Sequence, residues 1–125
     1  MDTLIAVDEF DRNDHFIVNT TQHGEVGHWI LVYIGDQIEI FDPLGNIKSY
    51  YNHMIFNFFI SLDEKFMYNT LKVQSDKSKL CGYFCLFFVF YRTRGWQFNA
   101  ILNLFCKNLT DNDAVVETFV KSYFN

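Results

Sequence analysis

Four residues stand in an order and spacing suited to thiol chemistry: His28, Asp42, Gln74 and Cys81. Cys81 lies in Lys79-Leu-Cys-Gly-Tyr-Phe-Cys85, where the polar stretch Gln74 to Lys79 gives way to a long apolar run. If that run is a helix, the thiol sits at its N-terminus, where the positive end of the helix dipole favours the thiolate. Lys77 and Lys79 are expected to add to that effect. Gly82 has no side chain, so a substrate carbonyl could approach the Cys81 amide closely. Gln74 is then placed to offer its side-chain amide to the same oxygen. An amide donor and a backbone N–H together make an oxyanion hole.

The partner for such a thiol follows from a hairpin argument. His28 to Ile34 is the strongest strand in the chain, Gly35-Asp36-Gln37 reads as a turn, and Gln37 to Asp42 as the return strand, ended by Pro43. A three-residue loop pairs Ile34 with Ile38, Val32 with Ile40 and Ile30 with Asp42. His28 then lies diagonal to Asp42 on one side of the sheet, about 7–8 Å away at the backbone and within reach of an imidazole–carboxylate bond. A two-residue loop would put the two on opposite faces and set Val32 against Glu39, a poorer match.

The elements that must hold these residues read as follows. His15 to Thr20 is a short strand, Thr21 to Gly27 a polar loop, Lys48 to Leu62 a helix, and Phe66 to Val73 a weaker strand. Cys81 to Arg94 is apolar on every side and reads as a helix buried in the middle of the domain. Gln97 to Phe105 and Asp111 to Phe124 read as two further helices, the last one N-capped within Thr110-Asp-Asn-Asp. Strands first, then helix, strand and helices, imply an α+β fold.

Composition narrows the function. With 125 residues, half of them hydrophobic and 19% aromatic, the chain fits one domain, 1–125, with a substantial core. A net charge of -5 disfavours nucleic acid as the main partner. Three cysteines, without a C-x-x-C, suit neither a secreted disulfide framework nor a structural zinc site. The acidic N-terminus does not read as a signal peptide, and the longest apolar run, Leu80 to Tyr91, is too short to span a bilayer. An intracellular, reducing setting without membrane contact is expected.

Taken in order, the four motifs resemble the adenain-like cysteine proteases, the family of the adenovirus maturation protease. Phe16-Ile-Val-Asn-Thr-Thr followed by Gly27-His-Trp29 resembles the family's histidine block, and Phe41-Asp-Pro-Leu-Gly45 its acidic block. Gln74 with Lys79-Leu-Cys-Gly-Tyr-Phe-Cys85 resembles its Gln and Cys blocks. The order His, Asp, Gln, Cys is shared with the wider clan that includes the SUMO-deconjugating proteases. Each block alone is common; the four together, from about Phe10 to the C-terminal helix, are specific.

The resemblance implies a papain-like fold, with a small antiparallel-containing sheet packed on a central helix that starts at Cys81. It implies Cys81 as nucleophile, His28 as general base, Asp42 as its orienter, Gln74 as oxyanion donor, and Trp29 packed near the site. It implies cleavage after glycine, at Gly-Gly or Ala-Gly sites, in capsid or core precursors of a virus or virus-like element, with no metal or organic cofactor. Protein or peptide is then the substrate, with room for a peptide or protein activator, and the place of action is the virion or the host nucleus or cytoplasm. A ubiquitin- or SUMO-like deconjugase and a catalytically idle partner-binding remnant are the alternatives. Only 27 residues precede His28, fewer than in adenain-like enzymes, so part of the substrate cleft is expected to be absent or supplied by a partner. The chain is acidic and has no cysteine between Phe66 and Val73, so activation by DNA and a disulfide-linked peptide is not expected.

The remaining candidates have plainer readings. Cys85, one turn after Cys81, is expected as a core thiol rather than a redox partner, and Cys106 as a core residue too. His15, His23 and His53 read as surface or loop residues. Lys72, Lys77, Lys79, Arg92 and Arg94 read as solvated charges rather than a basic patch, and Phe56, Phe58, Phe59, Phe87, Phe88 and Phe90 as core.

Overall fold

The β-branched and aromatic runs of the first half become strands, and the apolar second half becomes helices. The computed structural model describes residues 14–19, 28–45, 66–76 and 78–124. Strands β1 (His15–Asn19), β2 (Trp29–Ile34), β3 (Ile38–Phe41) and β4 (Phe66–Tyr68) precede helices α1 (Cys81–Arg92), α2 (Phe98–Leu102) and α3 (Leu109–Tyr123). The strands form one sheet in the order β1-β2-β3-β4. β1–β2 and β2–β3 are antiparallel and β3–β4 is parallel, so the fold is α+β with a small mixed sheet. The helix expected over 48–62 and the loop over 21–27 lie outside the described residues.

The hairpin has the anticipated register: Ile34 pairs with Ile38 and Val32 with Ile40. Side chains alternate along each strand. Leu31 and Phe41, with Ile17 and Met67, therefore share the face that packs on the helices. Ile30, Val32, Ile34, Ile38 and Ile40 on the opposite face are buried as well. Burial on both faces explains why β2 reads as a continuous apolar run.

α1 lies against this sheet, with α2 and α3 on its other flanks. Phe84, Cys85, Phe87, Phe88 and Val89 are buried, while Tyr83, Leu86, Phe90 and Tyr91 are half-buried, so the helix is less enclosed than its sequence predicts. Phe41 and Phe88 stack at 4.3 Å between ring centroids, and Phe87 meets Phe119 of α3 edge-on at 5.1 Å. Each fully buried aromatic of this kind contributes roughly 1.5–3 kcal/mol. No helix among the described residues is long and apolar enough to cross a membrane.

Four expectations need correction. Arg92 is not a solvated charge: its guanidinium forms a two-point ion pair with buried Glu39 (2.8 and 3.0 Å) and lies over the Tyr33 ring. Glu39 faces Tyr33 across the hairpin, on the side of the sheet that α1 covers, and that position brings the pair together. The cap of α3 is Asn108, whose side chain accepts the Asp111 N–H, so the helix starts ahead of Thr110. Cys106 is exposed, because α2 stops at Leu102 and Cys106 falls in the loop before α3. β4 ends at Tyr68, because the next residues direct their hydrogen bonds to Asp42 and Pro43.

Candidate active site

The site is assembled where β2 and β3 open at one end of the sheet and α1 begins. His28 immediately precedes β2, and Asp42 immediately follows β3. Their side chains meet: His28 Nε2 lies 2.7 Å from Asp42 Oδ1, with Asp42 fully buried. Cys81 is the first residue of α1, and its thiol and the His28 ring lie close enough for each to shift the protonation of the other. With Nε2 committed to Asp42, Nδ1 is the ring nitrogen left for Cys81.

Cys81 is surrounded by donors. The Trp29 N–H points at Cys81 Sγ from 3.4 Å, and the Gly82 N–H adds to the field that lowers the thiol. α1 has no side-chain cap at Leu80. Its first-turn N–H groups lack intrahelical acceptors, so a thiolate there is in a favourable field. Burial pushes the Cys81 thiol up, but the His28 hydrogen bond, the Trp29 N–H and the His28 charge outweigh it and hold the thiol below its ordinary value. Lys77 lies outside the described residues, and exposed Lys79 is not among the groups acting on the thiol. Burial pulls His28 down, yet the bonds to Asp42 and Cys81 raise it to about 9. The two shifts favour one charge state, thiolate beside imidazolium.

Asp42 is held by its own turn and by a side chain from β4's end. Its Oδ1 accepts the Leu44 N–H at 2.9 Å, and its carbonyl accepts the Gly45 N–H at 2.9 Å. Buried Asn69 brackets the Asp42 backbone, its Oδ1 accepting the Asp42 N–H (2.8 Å) and its Nδ2 donating to the Asp42 carbonyl (2.6 Å). Gly45 has a φ of +67°, and a Cβ there would come within 2.8–2.9 Å of backbone atoms of residues 70–72. That close approach lets the Pro43 carbonyl accept the N–H groups of Val73 and Gln74.

Gln74 therefore joins the site through its neighbours. Its backbone is tied to Pro43, beside Asp42, and its Nε2 donates to the Ser78 carbonyl at 3.0 Å. Ser78 in turn accepts the Leu80 N–H on Oγ, at the threshold of α1. Gln74 is 2% exposed, and its Oε1 has no hydrogen-bond partner among the described residues. One amide N–H is committed to Ser78, and the second is the one an oxyanion role requires.

No family model, no curated protein and no solved structure matches the chain.

Beside the four residues singled out from sequence, the structure adds several. Asn69, Asn112 and Asp113 hold the backbone around Asp42 and Gln74. Nothing in their spacing marks them, because each acts across more than 25 residues of chain. The Trp29 backbone reaches both cysteines: its N–H faces Cys81, and its carbonyl accepts the Cys85 thiol at 3.6 Å. Cys85 is otherwise a core thiol, and burial pushes it well above its ordinary value. The Trp29 indole is 39% exposed and covers Gly82; a Cβ there would meet Trp29 Cδ1 at 3.8 Å, an ordinary contact. The described part of the fold thus leaves room for a side chain at residue 82.

Proposed function

We propose that the chain is a cysteine-type endopeptidase of the adenain-like kind, with the papain-like arrangement of sheet and central helix. The observation that carries the reading is His28 held at 2.7 Å by buried Asp42 while its ring acts on the thiol of Cys81, the first residue of α1. A buried carboxylate, an imidazole and a thiol so aligned generate a nucleophile without an external base. A purely structural histidine needs no thiol partner.

The mechanism follows from these groups. The Cys81 thiolate adds to the carbonyl carbon of the scissile peptide. The resulting oxyanion receives hydrogen bonds from the Cys81 N–H and the Gln74 side-chain amide. His28, protonated, passes its proton to the departing amine as the C–N bond breaks, leaving a thioester on Cys81. Neutral His28 then removes a proton from water, whose oxygen attacks the thioester. Collapse of the second oxyanion releases the acid and restores the ion pair. Asp42 keeps the ring oriented throughout and stabilises the imidazolium.

For the substrate, the resemblance of the four motifs supports glycine on the acyl side, in capsid or core precursors of a virus or virus-like element. The same resemblance supports a virion or a host cell as the setting of the reaction. The test is a peptide library containing Gly-Gly and Ala-Gly sites, digested by the wild type and by Cys81→Ala and read by mass spectrometry. The expected result is cleavage on the carboxyl side of glycine by the wild type alone. Cleavage only of ubiquitin- or SUMO-like C-terminal fusions would move the reading to a deconjugase. No cleavage of either, with Cys81 alkylated no faster than exposed Cys106, would leave a binding module.

A further inference from the structure

We propose that the first turn of α3 is a positioning element for Gln74: Asn112 and Asp113 hold the residues on either side of it and so aim its amide at the substrate carbonyl. The inference rests on the catalytic reading above and extends it to a helix remote in sequence from all four site residues.

Gln74 belongs to a segment without a strand ladder or helix of its own to hold it. Its neighbours are fixed from outside instead. The Val73 carbonyl accepts Asn112 Nδ2 at 3.0 Å. Asp113 accepts the Ser75 N–H on Oδ1 (3.2 Å) and the Ser75 hydroxyl on Oδ2 (2.5 Å). From the opposite side, Pro43 accepts the N–H groups of Val73 and Gln74 at 2.9 and 3.1 Å. The segment is thus gripped between the turn that carries Asp42 and the helix that follows Cys106.

Two features separate this from ordinary helix capping. Capping is already done by Asn108, whose side chain accepts the Asp111 N–H at 3.1 Å. Asn112 is 4% exposed, where an apolar residue is the usual choice, yet its amide is fully used. Oδ1 accepts from Cys106 N (2.9 Å) and Sγ (3.2 Å), and Nδ2 donates to Cys106 O (2.8 Å) as well as to Val73 O. That network fixes the orientation of the group that holds Val73.

α3 is itself seated on α1 through buried Val116 and Val120, and α1 carries Cys81 at its first residue. The two oxyanion donors, Gln74 amide and Cys81 N–H, therefore share one rigid frame, α1 on α3, instead of being joined only by the loop between them. Such a frame matters because each donor must be held within about 0.5 Å of its productive position, roughly 2.7–3.1 Å from the developing oxyanion.

The test compares Asp113→Ala, Ser75→Ala and Gln74→Ala, with the double variant Gln74→Ala/Asp113→Ala, on a peptide that the wild type cleaves. Gln74→Ala is expected to lower kcat by about 10²- to 10³-fold. Asp113→Ala and Ser75→Ala are each expected to lower kcat by about tenfold, with KM and the pH profile of Cys81 alkylation unchanged. In the Gln74→Ala background, Asp113→Ala is expected to change kcat by less than about twofold. An equal loss in both backgrounds means a merely structural role and overturns the proposal, as does wild-type kcat in Asp113→Ala. Asp113 and Ser75 are only half-buried, so these variants keep the test open even if Asn112→Ala fails to fold. A wild type without turnover overturns the catalytic reading and this inference together; turnover with additive losses overturns this inference alone.

Discussion

Cys81 is an unpromising nucleophile on burial alone, since desolvation favours the neutral thiol. His28 reverses the balance, by hydrogen bond and by charge. His28→Ala should therefore return the thiol to its ordinary range or above. Iodoacetamide labelling of Cys81, followed by mass spectrometry against pH, is expected to be fast below the ordinary thiol range in the wild type and slow there in the variant. Cys106 is the internal reference and should not change. The pair His28–Asp42 was legible from sequence because strand side chains alternate strictly, so a loop of three residues settles which residues share a side. Asn69 was not legible. It acts on the backbone of Asp42, which has no sequence signature, and it falls inside the stretch 66–73 that reads as a strand. Its loss removes the acceptor of the buried Asp42 N–H, at about 1–3 kcal/mol, while the Asp42 carbonyl keeps the Gly45 N–H. Asn69→Ala should lower the melting temperature and, through misplacement of Asp42, kcat as well.

Among the elements, the turn from Asp42 to Gly45 couples the acid to the oxyanion donor. Gly45 needs both its positive φ and its missing Cβ, because backbone of residues 70–72 lies where a methyl would go. Gly45→Ala is expected to cost about 1–3 kcal/mol in thermal or urea unfolding and to impair turnover more than binding. Gly82→Ala makes the contrasting case: its Cβ meets only an ordinary contact, so the melting temperature should hold while kcat falls as the methyl crowds the approaching carbonyl. A loss of stability in Gly82→Ala equal to that in Gly45→Ala would contradict this division. The elements themselves were only partly legible. The hairpin and α1 follow from period and apolar length. The start of α3 was misplaced because Asn112 and Asp113, read as helix-starting polar residues, make tertiary bonds to residues 73–75 and 106 while Asn108 caps the helix. Arg92 was misread for a related reason: charge on a helix end reads as solvated, and only the register of β3 reveals Glu39 opposite it.

At the scale of the whole molecule, the ion pair at the site links protonation to both activity and stability. His28 has an ordinary value of 6.5 and is raised to about 9 in the folded chain. A raised value means that the folded state binds the proton more tightly than the unfolded state. Its stabilising contribution is therefore complete below 6.5 and disappears as pH rises through about 9. The wild type should lose its stability advantage over His28→Ala across that interval, measured as the difference in urea midpoint at a series of pH values. Turnover should follow the same group on the alkaline side, falling near pH 9 as His28 loses the proton that the leaving amine requires. On the acid side the lowered Cys81 thiol sets the limb, because protonating the thiolate removes the nucleophile. Because the two groups are coupled, each limb belongs to the pair, and His28→Ala should abolish the bell rather than shift one side of it. An unchanged alkaline limb in His28→Ala would assign that limb to another group and remove His28 from proton transfer.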